Sequence, residues 1–192
     1  HRPLVTGSSA SSPRWAPDGK RLVYTAATNG KPEIRVLYPD AGRSFALAQF
    51  TEGPSGAVWS PDGKTIAFTM FVPGEKPAFA KPPAAPEGAT WSEPVKVFDD
   101  LQFRADGAGY LKDGATHVFT LPVDGGTPRQ VTSGEAALQQ PAWLDNDTLL
   151  VSGNLAEDSD MDPIESEIYA VELSDLSVRA LTSRDGPDFG PV

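Results

Sequence analysis

The chain has 192 residues, 39% of them hydrophobic, with four Trp, 19 Pro, 18 Gly, no Cys and a formal charge of −10. The apolar content and the Trp residues argue for a folded chain, and the abundant Pro and Gly argue for many turns between short strands. The acidic balance argues against nucleic acid as a partner, the lack of Cys excludes disulfides, thiol catalysis and Cys-ligated zinc, and no run of about 18 apolar residues exists to cross a membrane. None of this fixes the compartment, periplasmic or cytoplasmic.

In chain order, the first clear unit is RWAPDGKRLVYT (Arg14 to Thr25), two short apolar runs around a polar turn. It returns as AVWSPDGKTIAF (Ala57 to Phe68) and as PAWLDNDTLLVS (Pro141 to Ser152). In the first two, Pro presets φ at the second turn position and Gly accepts positive φ at the fourth. In the third, Asp145-Asn146-Asp147 is one residue shorter and needs a different turn. The three Trp stand 44 and 84 residues apart, so one unit is hidden or one is inflated. A second marker decides: Thr6, Thr51, Thr132 and Thr182 each follow a large apolar residue, one ahead of each Trp and one at the end, which leaves no further unit to place between Thr51 and Thr132. The middle unit is therefore inflated.

Each unit reads as four strands. The first ends at the Trp and the second is RLVY or TIAF. The third is EIRVL (33–37), HVFTL (117–121) or EIYAV (167–171), and the fourth is FALAQFT, PRQVT or VRALT. Four strands per repeat, at a period in the forties, predict an all-β chain that is a fragment of a β-propeller. The expected blades are 13–53, 55–134 with an insertion at 71–115, and 141–183, with residues 1–7 as the outer strand of a preceding blade. Blades bury their faces only against neighbours. A three-blade arc expressed alone is therefore expected to close as a homodimer or to be poorly soluble.

WSPDGKTIAF alone resembles propellers of the TolB-like and peptidase-associated type. The inflated blade is more specific. Arg104-Ala-Asp106-Gly107-Ala-Gly109-Tyr110, followed by a strand and by Gly125-Gly126-Thr-Pro128-Arg129-Gln130, resembles the acylaminoacyl-peptidase and dipeptidyl-peptidase branch of the prolyl oligopeptidase family. EIYAV and ALTSRDGPD (180–188) resemble its bacterial members. The resemblance implies an accessory propeller that gates peptide substrates for a C-terminal α/β-hydrolase domain. No Gly-x-Ser-x-Gly nucleophile elbow occurs in these residues, so no catalytic residue is assigned to them. The other reading is a stand-alone TolB-like propeller acting as an interaction module.

Arg104, Asp106 and Tyr110 are the candidates for contact with a substrate terminus or a hydrolase surface, since an Arg fork suits a carboxylate. The alternative is an internal Arg104–Asp106 pair bracing the insertion. His117 reads as a strand residue rather than a base. Glu157, Asp158, Asp160, Asp162, Glu165 and Glu167 form an acidic loop. DSDMD opens like a calcium loop, but Pro163 and Tyr169 stand where Gly and Glu are needed. The loop reads as solvated, and neither a metal nor a cofactor is assigned. The Pro-rich stretch 71–91 is expected to run as an extended surface loop.

Overall fold

The computed structural model describes residues 3–6, 9–74, 83–92, 97–98 and 101–192. Among them the chain is all-β and forms three four-stranded antiparallel sheets. The first blade contains β1 (Ser9–Trp15), β2 (Leu22–Thr28), β3 (Lys31–Tyr38) and β4 (Arg43–Gln49), paired in that order. The middle blade is β5 (Ser55–Trp59), β6 (Thr65–Pro73), β9 (Gly114–Pro122) and β10 (Arg129–Gln130). Between β6 and β9 lies a separate two-stranded hairpin, β7 (Arg104–Ala105) and β8 (Gly109–Tyr110). The last blade is β11 (Leu138–Trp143), β12 (Thr148–Gly153), β13 (Glu167–Glu172) and β14 (Val178–Ala180). The doubled Trp spacing is thus one inflated blade. Residues 3–6 form no strand, although Val5 packs on the first blade. Residues 1, 2 and 7 of the expected outer strand lie outside the described residues, as do 75–82 of the Pro-rich stretch.

The turns follow from their residues. Gly19 and Gly63 adopt φ of +67° and +68°, and their N–H groups close the turns onto the Ala16 and Ser60 carbonyls at 2.9 Å. In the shorter third turn the Asp145 carboxylate accepts the backbone N–H groups of Asp147 and Thr148, both at 2.8 Å. Its side chain does the work that Pro and Gly do elsewhere.

The Trp residues mark how blades meet. Trp59 donates its indole N–H to the Arg14 carbonyl (3.0 Å), and Trp143 donates to the Val58 carbonyl (3.4 Å). Each ring reaches the residue just before the preceding Trp. Trp15 has no described blade in front of it and is 56% exposed, against 8% for Trp59. Arg21 adds a second tie: it donates to the Gly63 carbonyl (2.9 Å), and its guanidinium lies 4.8 Å from the Trp59 ring centroid. Asn146 does the same one blade on, accepting the Asp62 N–H at 3.0 Å.

Two apolar seams result. In the first, Val23, Ile34 and Val36 meet Ile66, Phe68, Phe119 and Leu121, with Phe68 and Phe119 stacked at 5.5 Å. In the second, Ala67 and Val118 meet Leu149, Val151, Tyr169 and Val171. Each sheet therefore turns its bulkier side chains toward the blade before it and smaller or β-branched ones toward the blade after it.

Candidate functional site

Antiparallel order sorts the loops. The turns within β1–β2, β5–β6 and β11–β12 share one rim of the blades, as the Arg21–Gly63 and Asn146–Asp62 hydrogen bonds require. That rim is built from Asp-rich turns. The backbone N–H of Lys20 holds the Asp18 carboxyl below its ordinary value, and Asp147's N–H does so for Asp145. The β6–β9 insertion and the β12–β13 loop sit on the opposite rim. Lys112 of the insertion pairs with Glu52 of the first blade-to-blade linker (3.7 Å). The Glu165 carboxylate accepts the Gly186 N–H (3.0 Å), binding the acidic loop to the segment after β14.

The insertion rim is also the apolar one. Phe98, Phe103 and Tyr110 stack with centroids 5.0 to 6.5 Å apart, and all three are exposed. Trp91, Leu101, Met161 and Ile164 are each at least half exposed on the same side. Exposed aromatic and aliphatic surface of this density marks an interaction face.

Arg104 and Tyr110 face each other across the β7–β8 ladder, and Asp106 sits in its turn with Gly107 at φ +81°. The hairpin brings the three together at one exposed tip. Arg104 and Asp106 form no ion pair with each other, so the bracing role of that pair has no support in the geometry. Tyr110 is instead held by the aromatic stack.

His117 is buried in β9. Its Nε2 donates to the Gly134 carbonyl (3.1 Å), and its Nδ1 faces the Thr132 hydroxyl (3.3 Å), which also accepts the Val118 N–H (2.9 Å). Burial pushes its pKa down, and the Gly134 bond opposes this in part. A neutral ring committed to two structural bonds has no free nitrogen for base catalysis. The same motif in the last blade uses Thr182, which accepts the Ile168 N–H (2.9 Å) and donates to Glu167. This explains the recurring Thr at these two positions: just past the end of strand four, its hydroxyl takes the next N–H of strand three.

The acidic loop is organised by Asn154, whose side chain accepts the Ala156 N–H (3.1 Å) and donates to the Asp162 carbonyl (2.9 Å). Among the described residues no three His, Asp or Glu side chains converge as a metal site would need. Sequence reasoning missed Glu33, which is 1% exposed. Its carboxylate accepts from Thr28 (2.5 Å), Arg35 (2.7 Å) and Gln49 (3.4 Å). Desolvation alone would raise its pKa, but these donors outweigh it and the net shift is downward.

Comparison with known proteins fits this architecture. Residues 87–191, more than half the chain, match the family model described as the dipeptidyl peptidase IV (DPP IV) N-terminal region. The uncharacterized peptidase YuxL of Bacillus subtilis (strain 168) is 28% identical over 161 residues, covering 82% of this chain and 24% of that protein. Pyrococcus horikoshii acylaminoacyl peptidase superposes with a TM-score of 0.60 at 17% identity, over 91% of this chain and 25% of that one. A TolB from Agrobacterium tumefaciens gives 0.58 at 14% identity, over 93% of this chain and 51% of that one. The chain thus spans about a quarter of the length of the peptidases it matches, and the structural likenesses speak for the fold. The repeat, the inflated middle blade and the family match converge: the chain belongs to the dipeptidyl peptidase IV N-terminal region family.

Proposed function

We propose that this chain is the accessory, substrate-gating propeller portion of a serine peptidase whose α/β-hydrolase domain lies outside these residues. The observation that carries the reading is the middle-blade insertion, which raises an exposed aromatic cluster and the Arg104–Asp106–Tyr110 tip on one rim while the other rim is charged turns. Peptide substrates pass this rim, and Arg104 takes a substrate carboxylate or a hydrolase carboxylate. Family membership and the likeness to YuxL support it. The test is the full-length polypeptide with Arg104→Glu or Tyr110→Ala, assayed on short acyl-aminoacyl anilides and on longer peptides. A change in length preference, with turnover of the shortest substrate retained, supports gating. An unchanged length profile in both variants refutes it.

The TolB likeness favours a second reading, a propeller acting as a protein-interaction module without catalysis. A polypeptide from the parent gene that is not labelled by a serine-directed fluorophosphonate would favour that reading over the first.

A further inference from the structure

Strand three of each blade runs past the end of strand four, and what happens there differs between blades. Register makes Pro32, Thr116 and Ser166 equivalent, each one residue before the position paired to β2, β6 or β12 at Ala26, Met70 or Gly153. In the first blade the Pro32 carbonyl accepts the Phe50 N–H at 2.8 Å. In the last blade the Ser166 carbonyl accepts the Asp188 N–H at 2.7 Å, and the Ser166 hydroxyl donates to the Asp188 carbonyl at 2.9 Å. In the first blade this bond is the β3–β4 ladder running one step further, since Glu33 pairs with Gln49; in the last blade, whose β14 ends at Ala180, it is a separate segment laid on the edge.

The middle blade has no such segment among the described residues. Val118 directs its carbonyl to the Val131 N–H (2.8 Å) and its N–H to Thr132, so Thr116, two residues earlier, points its peptide groups to the same side. β10 ends its ladder at Phe119, and the linker that follows turns away, its Gly134 carbonyl taken by His117. The Thr116 N–H and C=O therefore open onto a cleft of about 480 Å³. Its walls are Phe71, Tyr110 and Leu111, with Lys112 of the insertion and Glu135 of the linker also lining it.

We propose that this cleft binds an extended peptide segment by strand addition at Thr116, with one apolar side chain of the peptide against Phe71 and Leu111. Main-chain hydrogen bonds supply affinity in this mode and the side-chain pocket supplies selectivity. The last blade supplies the precedent, since it already holds a separate segment, at Asp188, on the equivalent carbonyl. Lys112, which pairs with Glu52, and Glu135 bring one charge of each sign to the cleft lining, which suits a neutral backbone better than an acidic or basic motif. The inference does not depend on the peptidase reading, because binding requires no turnover.

Thr116→Pro removes the one N–H aimed into the cleft and leaves the β6 ladder intact, since Thr116 faces its Phe71 partner without bonding it. The probe is a fluorescein-labelled, end-capped Thr-Val-Phe-Val-Thr peptide, titrated against the 192-residue chain by fluorescence anisotropy, with hydrogen exchange on the complex. Saturable binding is expected, with protection gained at Thr116 and at least tenfold weaker binding by Thr116→Pro. The same peptide with alternate amides N-methylated, tested on the unaltered chain, should bind as weakly. This second arm holds even where the Pro variant does not fold. No binding at millimolar protein, equal binding by the N-methylated peptide, or protection confined to another edge would overturn the proposal.

Discussion

Trp15, Trp59 and Trp143 occupy one repeat position in three environments, so the same substitution made at each separates sequence from context. Trp59→Phe removes an indole N–H bonded to the Arg14 carbonyl at 3.0 Å in a site 8% exposed. That bond contributes about 1 kcal/mol net, and the carbonyl left behind adds to the cost. Loss of the indole face under Arg21 removes about 0.5 kcal/mol, as that guanidinium is part-exposed. The smaller ring leaves a void beside Ala16, Val23 and Phe68 in the same cluster, for roughly another 1 kcal/mol. The expected loss is about 2 to 3 kcal/mol. Trp143→Phe, half-buried and with a longer bond of 3.4 Å, should lose about 1 kcal/mol. Trp15→Phe, more than half exposed, should stay within about 0.5 kcal/mol. Urea unfolding of the 192-residue chain, followed by far-ultraviolet circular dichroism, gives all three. If Trp15→Phe costs as much as Trp59→Phe, the Trp residues stabilise their own blades rather than the contact with the blade before, and the account of the seams fails.

Stability should also fall in two steps on acidification. Burial keeps His117 neutral in the folded chain with a pKa below its ordinary 6.5, so its contribution is full above that value and declines as pH falls below it. Comparing the unfolding free energy of the native chain and His117→Gln between pH 7.5 and 5 isolates this step. The folded pKa of Glu33 lies below its ordinary 4.5, so its contribution is full above that value and is lost as pH falls through the lower one. Glu33→Gln should flatten the acid limb, measured in the same way. Gly114→Ala would drive a Cβ into the Val72 carbonyl at φ +129° and should destabilise by about 3 kcal/mol or more, read from the urea midpoint. Calcium at millimolar concentration should leave the melting temperature unchanged, and a rise of several degrees abolished by Asp158→Ala would show a site in the acidic loop.

The blade framework was legible because it rests on local rules. Period-two alternation, Pro-Asp-Gly turns and a repeated Trp define strands and register without any long-range information. The inner-strand bulge was not. Ser12, Gly56 and Gln140 each stand three residues before a Trp, take φ of +53°, +63° and +55°, and mark the register shift against the next strand. Only one of the three is Gly, so no residue type announced the conformation. It is imposed by the pairing on either side of it. The hairpin at the insertion tip was foreshadowed by Gly107 and Gly109. The Phe98–Tyr110–Phe103 stack was not, because it joins residues with no repeat periodicity between them. Glu33 escaped notice for a related reason. In sequence it is one of many acidic residues, and only the pairing of β2 to β3 shows that it is buried beside Arg35.

The first blade's outward face is bulky like the others but carries polar side chains where the middle blade carries apolar ones. Where the middle blade turns Phe68 and Phe119 toward its predecessor, the first blade turns Tyr24 and Arg35. The Arg35 guanidinium donates to the Tyr24 hydroxyl (3.1 Å), the Ser44 hydroxyl (2.9 Å), the Ser44 carbonyl (3.2 Å) and the Glu33 carboxylate. Leu22, Tyr24, Ala26 and Leu37 surround this network, and Val5 covers part of it. A charge pair so supplied with donors and acceptors needs no further partner, whereas removing either member would strand the other. Arg35→Leu should therefore destabilise the chain by more than Phe119→Leu, despite Phe119 lying at the centre of a larger apolar seam. The former leaves Glu33 buried with one charged donor lost, and the latter loses part of one ring. Equal or smaller loss for Arg35→Leu in urea unfolding at pH 7 would mean that the network is ornamental to the blade, and that apolar area alone sets the strength of this face.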